Sequence, residues 1–572
     1  MENMSLKLFF KDICRDLGNL DNVTKQFVEL KNDQERFQMA YEICQDYFSR
    51  LEFASTGKCN EKSATCRKEG NNLFMNYSYW KALTLYNKSL ALAKNNSTEL
   101  GLAYGNRASC LLRLNFPKEA LSDVEKALNL CTTQELKNKL LMRQKQCLLA
   151  INNKIQPCGN FSAGNVPSLS RGKSSYFSSA SSAVDLSTDK HGERKLVVNS
   201  DINVGEVLIV EKPFSSIVLA EHFYTHCSYC FKRDLNLVPC VSCCTAMFCN
   251  EQCLASKSHD IECSYLEILS SLNADRRELL SLKILIDASN QGRQLDKLYD
   301  EVAKYDNNDY DQNNQFYDSS DFVNIYNLVT NSKKRAPTDL FYRSVISAIL
   351  IFTLQQCTNF FKLTNIDRRK NMTIFCGGLI LRLMQSLPCN AHEVSEYNCE
   401  SLLEIGAGAY ATLSLINHSC DPNVVRYSCQ DKIVLCAIKP IKNGEQIFDN
   451  YGYHYATHDF QERQEALLEQ YYFKCECEAC LNMWPTYNQL IELPLRLRKN
   501  VDISLYNKLT KDFEDDMQEV LNGKHNTSII ERNTAYLEFL HEAVELPWLN
   551  YNKCQELIKH CLNFQANYFK ME

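Results

Sequence analysis

Apolar and small residues recur at helical spacing in two blocks near the amino terminus of the chain. Gly70 and Ala82 are twelve residues apart in the first block, and Ala108 and Ala120 repeat this spacing in the second. Small residues at such positions let the two helices of a hairpin approach closely, while leucines between them supply apolar stripes. The blocks superpose with a period of 38 residues. They predict two helical hairpins, followed by a closing helix in ELKNKLLMRQKQCLLA.

This pattern resembles the tetratricopeptide repeat, whose usual period is about 34 residues. The resemblance extends to the polar positions that form a carboxylate clamp in chaperone-binding repeats, which here are Arg67, Asn71, Asn106, Lys139 and Arg143. It implies a concave surface that holds the carboxyl-terminal tail of a chaperone by charge-assisted hydrogen bonds. Because single Lys and Arg side chains on helices are usually only solvated, a plain helical brace is the alternative.

Downstream of Ile151 the pattern changes three times. A Ser-, Gly- and Asn-rich stretch predicts a linker, and β-branched alternation in ERKLVVNSDINVGEVLIVEKPFSSIVL predicts a small antiparallel sheet with a turn at Asn203–Gly205. Residues from Leu266 to about Met384 are predicted to be mostly helical. Within them, the tract YDNNDYDQNNQFYDSSD has few aliphatic residues and predicts a disordered surface insertion.

Length, composition and charge narrow the class of protein. A chain of 572 residues predicts about three or four domains. With 23% charged residues and a formal net charge of −6, direct nucleic-acid binding is not expected. Charges interrupt every apolar stretch at the amino terminus, so no secretory signal is expected. No membrane span is expected either, because the sequence has no long uncharged apolar run. The 28 cysteines are therefore interpreted as metal ligands where clustered and as core residues elsewhere.

The spacing of one cysteine cluster predicts two closed, structural metal sites. Two C-x-x-C pairs are followed by two pairs of ligands spaced four apart, which share a helix face. The order resembles the MYND zinc finger, and that resemblance implies the grouping. One zinc ion would be bound by Cys227, Cys230, Cys249 and Cys253, and the other by Cys240, Cys243, His259 and Cys263. The finger either recognises peptides or braces neighbouring domains.

A second ligand cluster involves the segment NHSCDPN at Asn417–Asn423, which by itself fits a metal site, part of a catalytic triad or a tight turn. Downstream, FKCECEAC supplies three thiolates at Cys475, Cys477 and Cys480, one short of a closed zinc site. Cys420 is the natural fourth ligand. The sequence thus predicts that the carboxyl-terminal cysteines fold back over NHSCDPN.

NHSCDPN, the later GEQIFDNYG and the C-x-C-x-x-C cluster together resemble the SET domain and post-SET motif. With the finger inserted between the first strands and these motifs, the chain resembles the SET and MYND domain family of protein lysine methyltransferases. The repeats are similar to those of its tetratricopeptide-bearing type-4 branch. The resemblance implies S-adenosylmethionine as cofactor, three zinc ions, and a protein substrate with a target lysine.

The same resemblance assigns roles to individual side chains. Tyr451, Tyr471 and Tyr410 are expected at the methyl-transfer site and the lysine channel. Cofactor contacts are expected from Glu193, Arg194, Lys195, Cys389, Asn390, Asn417, His418, Tyr451 and Phe473. One position departs from the family, because Lys195 stands where the early cofactor loop usually carries its second glycine. An arginine beside the loop is suited to the cofactor carboxylate instead.

These patterns predict a multidomain α+β chain, cytoplasmic and nuclear, that is either a methyltransferase or an adaptor with an idle SET fold. The predicted boundaries are an amino-terminal helical segment at 1–60, tetratricopeptide-like repeats at 61–152, a linker at 153–180, the first SET part at 181–226, the MYND finger at 227–263, a helical insertion at 264–400 with a disordered tract at 303–321, the catalytic SET part at 401–453, the post-SET motif at 468–482 and a helical tail at 483–572.

Overall fold

A computed structural model describes residues 5–18, 20–51, 53, 57–189, 192–256, 259–306, 316–362, 365–398, 400–523 and 526–570. Most of the first 152 residues are helical. The helices of this part are α1 (Leu6–Leu17), α2 (Leu20–Glu29), α3 (Asp33–Cys44), α4 (Asn60–Met75), α5 (Tyr79–Leu92), α6 (Thr98–Arg113), α7 (Pro117–Asn129) and α8 (Gln134–Asn152). Each helix from α4 to α8 packs against the next, so α4–α5 and α6–α7 are the two hairpins.

The remainder of the chain mixes strands with helices. The strands are β1 (Asn160–Ala163), β2 (Val184–Thr188), β3 (Arg194–Val198), β4 (Val207–Glu211), β5 (Ser215–Val218), β6 (Val238–Pro239), β7 (Met247–Phe248), β8 (Ala391–Tyr397), β9 (Leu402–Ala409), β10 (Asn417–His418), β11 (Val424–Cys429), β12 (Lys432–Ala437), β13 (Phe448–Asp449) and β14 (Asn567–Lys570). The helices are α9 (Glu251–Leu254), α10 (Glu262–Ser271), α11 (Arg276–Ala288), α12 (Leu295–Asp306), α13 (Phe322–Tyr326), α14 (Pro337–Cys357), α15 (Ile366–Asn390), α16 (Phe460–Tyr471), α17 (Glu478–Leu481), α18 (Tyr487–Leu490), α19 (Ile503–Leu521), α20 (Thr527–Ala543) and α21 (Leu549–Gln565).

Close helix packing in the repeats depends on small side chains. A Cβ atom added at Gly70 on α4 would lie 2.7 Å from the ring of Tyr86 on α5. The repeat positions Ala82, Ala108 and Ala120 are likewise fully buried. Gly70 is therefore a point of close approach between α4 and α5, and the three alanines lie in the buried contacts between helices.

The predicted local sheet after the linker was wrong in its pairing. Its strands exist, but β3 pairs with β2, β4 with β12 and β5 with β9, so they enter three different sheets. The predicted turn is present, since Gly205 has φ +88° and Glu206 N–H donates to the Asn203 carbonyl at 3.3 Å. Alternation of apolar and polar residues identifies a strand but not its pairing partner, and the partners of β4 and β5 are distant in sequence.

The two ends of this β-rich region meet in one sheet of order β1-β14-β8-β9-β5. β1 lies within the predicted linker and pairs antiparallel with β14, with Asn160 opposite Lys570. β14 runs parallel to β8 and places Tyr568 opposite Tyr397. The segment at 153–180 is therefore partly a structural strand, and the predicted helical tail ends in a strand.

The predicted helical insertion forms the core beside this sheet. α3 packs on both α14 and α15, and a Cβ atom at Gly377 on α15 would lie 2.1 Å from the Phe37 ring. By length and composition α14 and α15 are apolar enough to cross a membrane, but most of each is buried inside the protein. Their hydrophobicity is accounted for by the burial of their surfaces against neighbouring helices.

The tract predicted to be disordered, 303–321, is ordered at both described ends. Residues 303–306 belong to α12. Tyr317 is buried, its ring packs on Phe177 with centroids 5.4 Å apart, and its hydroxyl donates to the Ala411 carbonyl at 3.2 Å. The middle of the tract, 307–315, lies outside the described residues. Aromatic residues within the polar tract anchor its end to the core.

A buried ion pair between α6 and α7 also contacts the predicted finger. Arg107 and Asp123 are fully buried, and Arg107 Nε lies 2.6 Å from Asp123 Oδ2. Arg107 Nη1 also donates to Asn87 Oδ1 and to the Leu237 carbonyl, both at 2.8 Å. Leu237 precedes the second C-x-x-C pair, so this one hydrogen bond links the buried ion pair of α6 and α7 to the predicted finger.

Candidate functional site

Two four-residue clusters in the finger bring together ligand atoms that all lie within 4.8 Å of one another. The grouping is the one that the resemblance implied. The first contains Cys227, Cys230, Cys249 and Cys253, and the second contains Cys240, Cys243, His259 and Cys263. His259 Nε2 lies 3.3 Å from Cys243 Sγ, while its Nδ1 lies 3.6 Å from a Glu262 carboxylate oxygen. Such an outer carboxylate fixes the ring orientation of a ligating histidine.

The third cluster closes over NHSCDPN. Cys420, Cys475, Cys477 and Cys480 also have all their sulfur atoms within 4.8 Å. Cys420 is fully buried, and its sulfur lies 3.5 Å from that of Cys480 and 3.9 Å from that of Cys475. The expectation that Cys420 joins the downstream cysteines therefore agrees with the geometry.

Sulfur separations in these clusters fit tetrahedral coordination. A zinc–sulfur bond of about 2.3 Å implies sulfur atoms about 3.8 Å apart around one tetrahedral ion. The Cys230–Cys249 and Cys240–Cys263 separations are 3.6 and 3.7 Å. The ligand atoms of each cluster are thus spaced to coordinate a single metal ion. Four protein ligands leave no open position for a reacting water.

The NHSCDPN segment also places a histidine beside the predicted methyl-transfer site. β10 pairs in parallel with β13, with His418 opposite Asp449. The Tyr451 N–H donates to His418 Nδ1 at 3.1 Å, and His418 Nε2 lies 3.3 Å from Cys420 Sγ. Burial lowers the pKa of His418 to about 4. The ring is therefore neutral near pH 7 and links the third cluster to Tyr451.

Tyr451 and Tyr471 come together next to this histidine. Their ring centroids are 4.7 Å apart, and the Tyr451 ring is 5.1 Å from that of His418. The Tyr451 hydroxyl donates to the Ile416 carbonyl at 2.6 Å. Burial raises the pKa of Tyr471 to about 12 and also raises that of Tyr451. We call Tyr451 and Tyr471 the tyrosine pair; both are neutral phenols at physiological pH.

The third tyrosine predicted for the channel is placed differently. Tyr410 is fully buried, and its hydroxyl donates to the Asp431 carbonyl. Its ring centroid lies 5.9 Å from that of His392 on β8. The hydroxyl of Tyr410 is thus committed to the β11–β12 turn.

Three of the predicted cofactor residues, Arg194, Cys389 and Asn390, contact a segment that the sequence pattern did not identify, residues 327–335. Arg194 Nη2 donates to the Asn327 carbonyl at 3.0 Å, and Asn390 Nδ2 donates to the Val329 carbonyl at 3.0 Å. Lys334 Nζ donates to the carbonyl of Tyr472, next to Phe473, at 3.1 Å. Apart from a short 3-10 helix at Ser332–Lys334, the segment is irregular, so only its tertiary contacts identify it.

The other contacts of the predicted cofactor residues are spread over several elements. Cys389 Sγ lies 3.4 Å from the Gln470 carbonyl, close in sequence to Tyr471. The Phe473 ring lies 6.1 Å from the His418 ring. Lys195 pairs with Ser187 across β2–β3, and Glu193 N–H donates to Asp189 Oδ1 at 2.9 Å. The early loop is therefore stabilised by its own hairpin.

A charged pair beside the tyrosine pair was also missed from the sequence. Arg426 Nη1 lies 2.9 Å from Asp449 Oδ2 and donates to His392 Nδ1 at 3.1 Å. The three residues come from β11, β13 and β8. Asp449 lies in the quoted motif GEQIFDNYG, but its partner is visible only once the strands are assembled.

The clamp positions lie on three helices of the repeats. Asn106 Nδ2 donates to Asn71 Oδ1 at 2.7 Å, and Arg143 Nη1 donates to the Gly105 carbonyl at 2.6 Å. Arg67 is paired with Glu99 at 2.9 Å, and Lys139 with the exposed Glu135 at 2.6 Å. One polar face formed by α4, α6 and α8 thus contains Arg67, Asn71, Asn106 and Arg143. Two of the predicted clamp cations, Arg67 and Lys139, are already paired with acidic side chains.

Comparison with known proteins gives this geometry its family context. Residues 193–452 match the model of the SET domain. The chain contains a SET domain. The matched range includes β10, β13 and Tyr451, and it also spans the finger and the helical core, which interrupt the SET domain between its first strands and NHSCDPN.

Relatives extend the similarity beyond the SET domain. Zebrafish protein-lysine N-methyltransferase SMYD4 is 24% identical over 562 residues, covering 80% of this chain and 72% of the relative. Human SMYD4 is 23% identical over 546 residues, covering 74% and 67%. Human N-lysine methyltransferase SMYD2 is 25% identical over 280 residues, covering 48% and 55%. The resemblance to the SET and MYND domain family is thereby confirmed.

Proposed function

We propose that this protein is a protein-lysine N-methyltransferase that transfers a methyl group from S-adenosylmethionine to a lysine side chain. The SET domain match and the names of its relatives support this assignment. The structural observation that carries it is the tyrosine pair, whose ring centroids are 4.7 Å apart directly beside the neutral His418.

When bound, S-adenosylmethionine supplies a methyl group on a positively charged sulfur. Asn417, His418 and Phe473 are the residues we assign to holding it, together with Arg194 and the 327–335 segment. The donor set fits such a ligand, because an aromatic face suits a sulfonium or an adenine ring and the Arg194 guanidinium suits a carboxylate. These groups come from separate elements that meet only in the folded chain.

The tyrosine pair would receive and orient the amine. In-line displacement requires an aligned, neutral amine more than a strong base. Burial disfavours the ammonium form, and the phenols themselves stay neutral at physiological pH. Tyr451 is positioned by its backbone bond to His418 and its hydroxyl bond to the Ile416 carbonyl.

The experiment is transfer of labelled methyl from the cofactor to proteins in extracts from several tissues. Tyr451→Phe should lower turnover far more than cofactor affinity, because its contact contributes to alignment in the transition state. Tyr77→Phe, at an 80% exposed position in the repeats, is the matched control and should behave as wild type. Wild-type labelling no greater than that of Tyr451→Phe would reject the assignment.

The three clusters are proposed to bind zinc, two in a MYND-type finger and one in a post-SET motif. Four closely spaced Cys and His ligands in each cluster support zinc over harder metals. We assign the finger to bracing, since the buried Arg107 contacts both the repeats and the Leu237 carbonyl. On the same basis of resemblance we propose a cytoplasmic and nuclear location.

A second, adaptor function is supported by the polar face of α4, α6 and α8, which we assign to tetratricopeptide-like repeats. An acidic chaperone tail would compete with Glu99 and Glu135 for Arg67 and Lys139. Replacing Lys139 and Arg143 together by Ala should abolish binding of an acidic tail peptide without unfolding the chain. Absence of wild-type binding at low salt, where charge contacts are strongest, would reject this function.

A further inference from the structure

The ion pair Arg426–Asp449 lies at the tyrosine pair and joins β11 to β13, with His392 of β8 as a further partner of Arg426. Asp449 is two residues before Tyr451, and its side chain is only 8% exposed. The Arg426 side chain is 26% exposed, and its Nη1 contacts both Asp449 and His392. Charges held this rigidly beside a reacting group act without first reorganising.

The titratable groups around the pair come from every neighbouring element. β8 contributes His392 and the exposed Glu393, α15 contributes Cys389, and the others are Tyr451, Tyr453 and Tyr471. Burial raises the pKa of both phenols of the tyrosine pair; Arg426 opposes the increase, whereas Asp449 adds to it. His392 stays neutral because burial and Arg426 lower its pKa to about 3. Arg426 and Asp449 therefore form an ion pair whose two charges act on the tyrosine pair in opposite directions.

We propose that the Arg426–Asp449 ion pair sets the charge state of the substrate amine at the tyrosine pair. This inference rests on the proposed methyltransferase function. The Arg426 guanidinium disfavours the ammonium form and the Asp449 carboxylate favours it, so their opposing fields fix the fraction of neutral amine. Both are positioning residues, since they act on the amine through the field and through the placement of Tyr451.

The step that depends on this field is simple to balance. The substrate ammonium first releases one proton to water. The amine nitrogen lone pair then forms a bond to the methyl carbon, and the carbon–sulfur bond breaks with its electron pair left on sulfur. The products are a methylated ammonium and the neutral thioether of the cofactor. Only the neutral amine can react, so the pH profile of turnover reports the field.

The experiment compares single and double charge-removing variants in the methyl-transfer assay. Arg426→Gln should move the ascending limb of the kcat profile to higher pH by about one pH unit, because an unopposed carboxylate stabilises the ammonium form of the bound substrate. Asp449→Asn should move it to lower pH by a similar amount. In the double variant both charges are gone, and the limb should return close to its wild-type position.

A simple loss of structure predicts a different result. It would lower the rate in both single variants without moving the limb in opposite directions. Glu393→Gln removes a carboxylate that is exposed and therefore screened by solvent and salt. As a control, this variant should shift the limb in the same direction as Asp449→Asn but by less. Shifts of the two single variants in the same direction, or no shift, would overturn the proposal.

A second measurement reads the same field without any methyl transfer. With 3-fluorotyrosine at position 471, fluorine NMR gives the midpoint of phenol ionisation. Arg426→Gln should raise this midpoint and Asp449→Asn should lower it. If the midpoint shifts in opposite directions in the two variants but the protein transfers no methyl group, the electrostatic effect of the ion pair is supported and the methyltransferase function is rejected. A midpoint that neither substitution changes would reject the field itself.

Discussion

At the residue scale, the segment 417–423 combines two roles. Asn417 and His418 form the short strand that faces Tyr451, while Cys420 enters the third cluster. His418 touches both, through its two ring nitrogens. A change at Asn417 should therefore affect the cofactor site without removing a metal ligand.

Asn417→Ala should weaken S-adenosylmethionine binding by roughly 1 to 3 kcal/mol, because a polar partner in a half-buried pocket is lost. Its effect on turnover with saturating cofactor should be smaller than that of Tyr451→Phe. Calorimetric titration of the full chain measures the affinity. Asn138→Ala, on the exposed face of α8, is the control. Equal cofactor affinity in wild type and Asn417→Ala would contradict the assigned contact.

His392 predicts a pH dependence of stability. Burial is the main cause that lowers its folded-state pKa to about 3, below the ordinary value near 6.5. The unfolded chain therefore binds the proton more tightly, and stability is lost as pH falls from 6.5 towards 3. Between pH 7 and pH 5 this residue alone should cost about 2 kcal/mol.

Urea unfolding of His392→Gln at both pH values tests this. The variant should lose about 2 kcal/mol less than wild type between pH 7 and pH 5. If wild type and His392→Gln lose the same free energy of unfolding between pH 7 and pH 5, His392 is not buried as a neutral ring.

At the scale of elements, one buried charge pair joins α6 to α7 and also reaches the predicted finger through the Leu237 carbonyl. Asp123→Ala leaves the Arg107 guanidinium buried without its carboxylate. This should destabilise the protein by about 3 to 5 kcal/mol. Glu135→Ala breaks an exposed pair with Lys139 and should leave stability unchanged. Denaturant unfolding measures the stability of both variants. If Asp123→Ala destabilises the protein no more than Glu135→Ala, Arg107 is in contact with solvent.

At the scale of the whole molecule, metal should hold together regions that are far apart in sequence. Carefully prepared protein should contain three zinc ions by elemental analysis. Cys420→Ser should lose one ion and cofactor binding together, because Cys420 lies 3.3 Å from His418 Nε2. Cys244→Ser, which replaces a buried cysteine outside the three clusters, should retain all three ions. One ion or none in wild type would contradict the assignment.

The sequence by itself determined the elements and the chemistry that depends on local spacing. Ligand pairs three or four residues apart predicted the finger clusters, and small residues such as Gly70 and Ala108 marked the helix contacts. The motifs NHSCDPN and GEQIFDNYG identified the candidate site, including His418 and Tyr451. These predictions succeed because metal ligation and helix packing need particular residue types at fixed short separations.

Only the tertiary structure decided which distant elements meet. β3, β4 and β5 are adjacent in sequence yet enter three sheets, and β1 pairs with β14 at the other end of the chain. The same applies to the site: the 327–335 segment and Arg426 carry no motif, and Tyr410 turns its hydroxyl to Asp431. Strand partners and charge pairs are fixed by which surfaces bury each other, and no local periodicity in the chain records that choice.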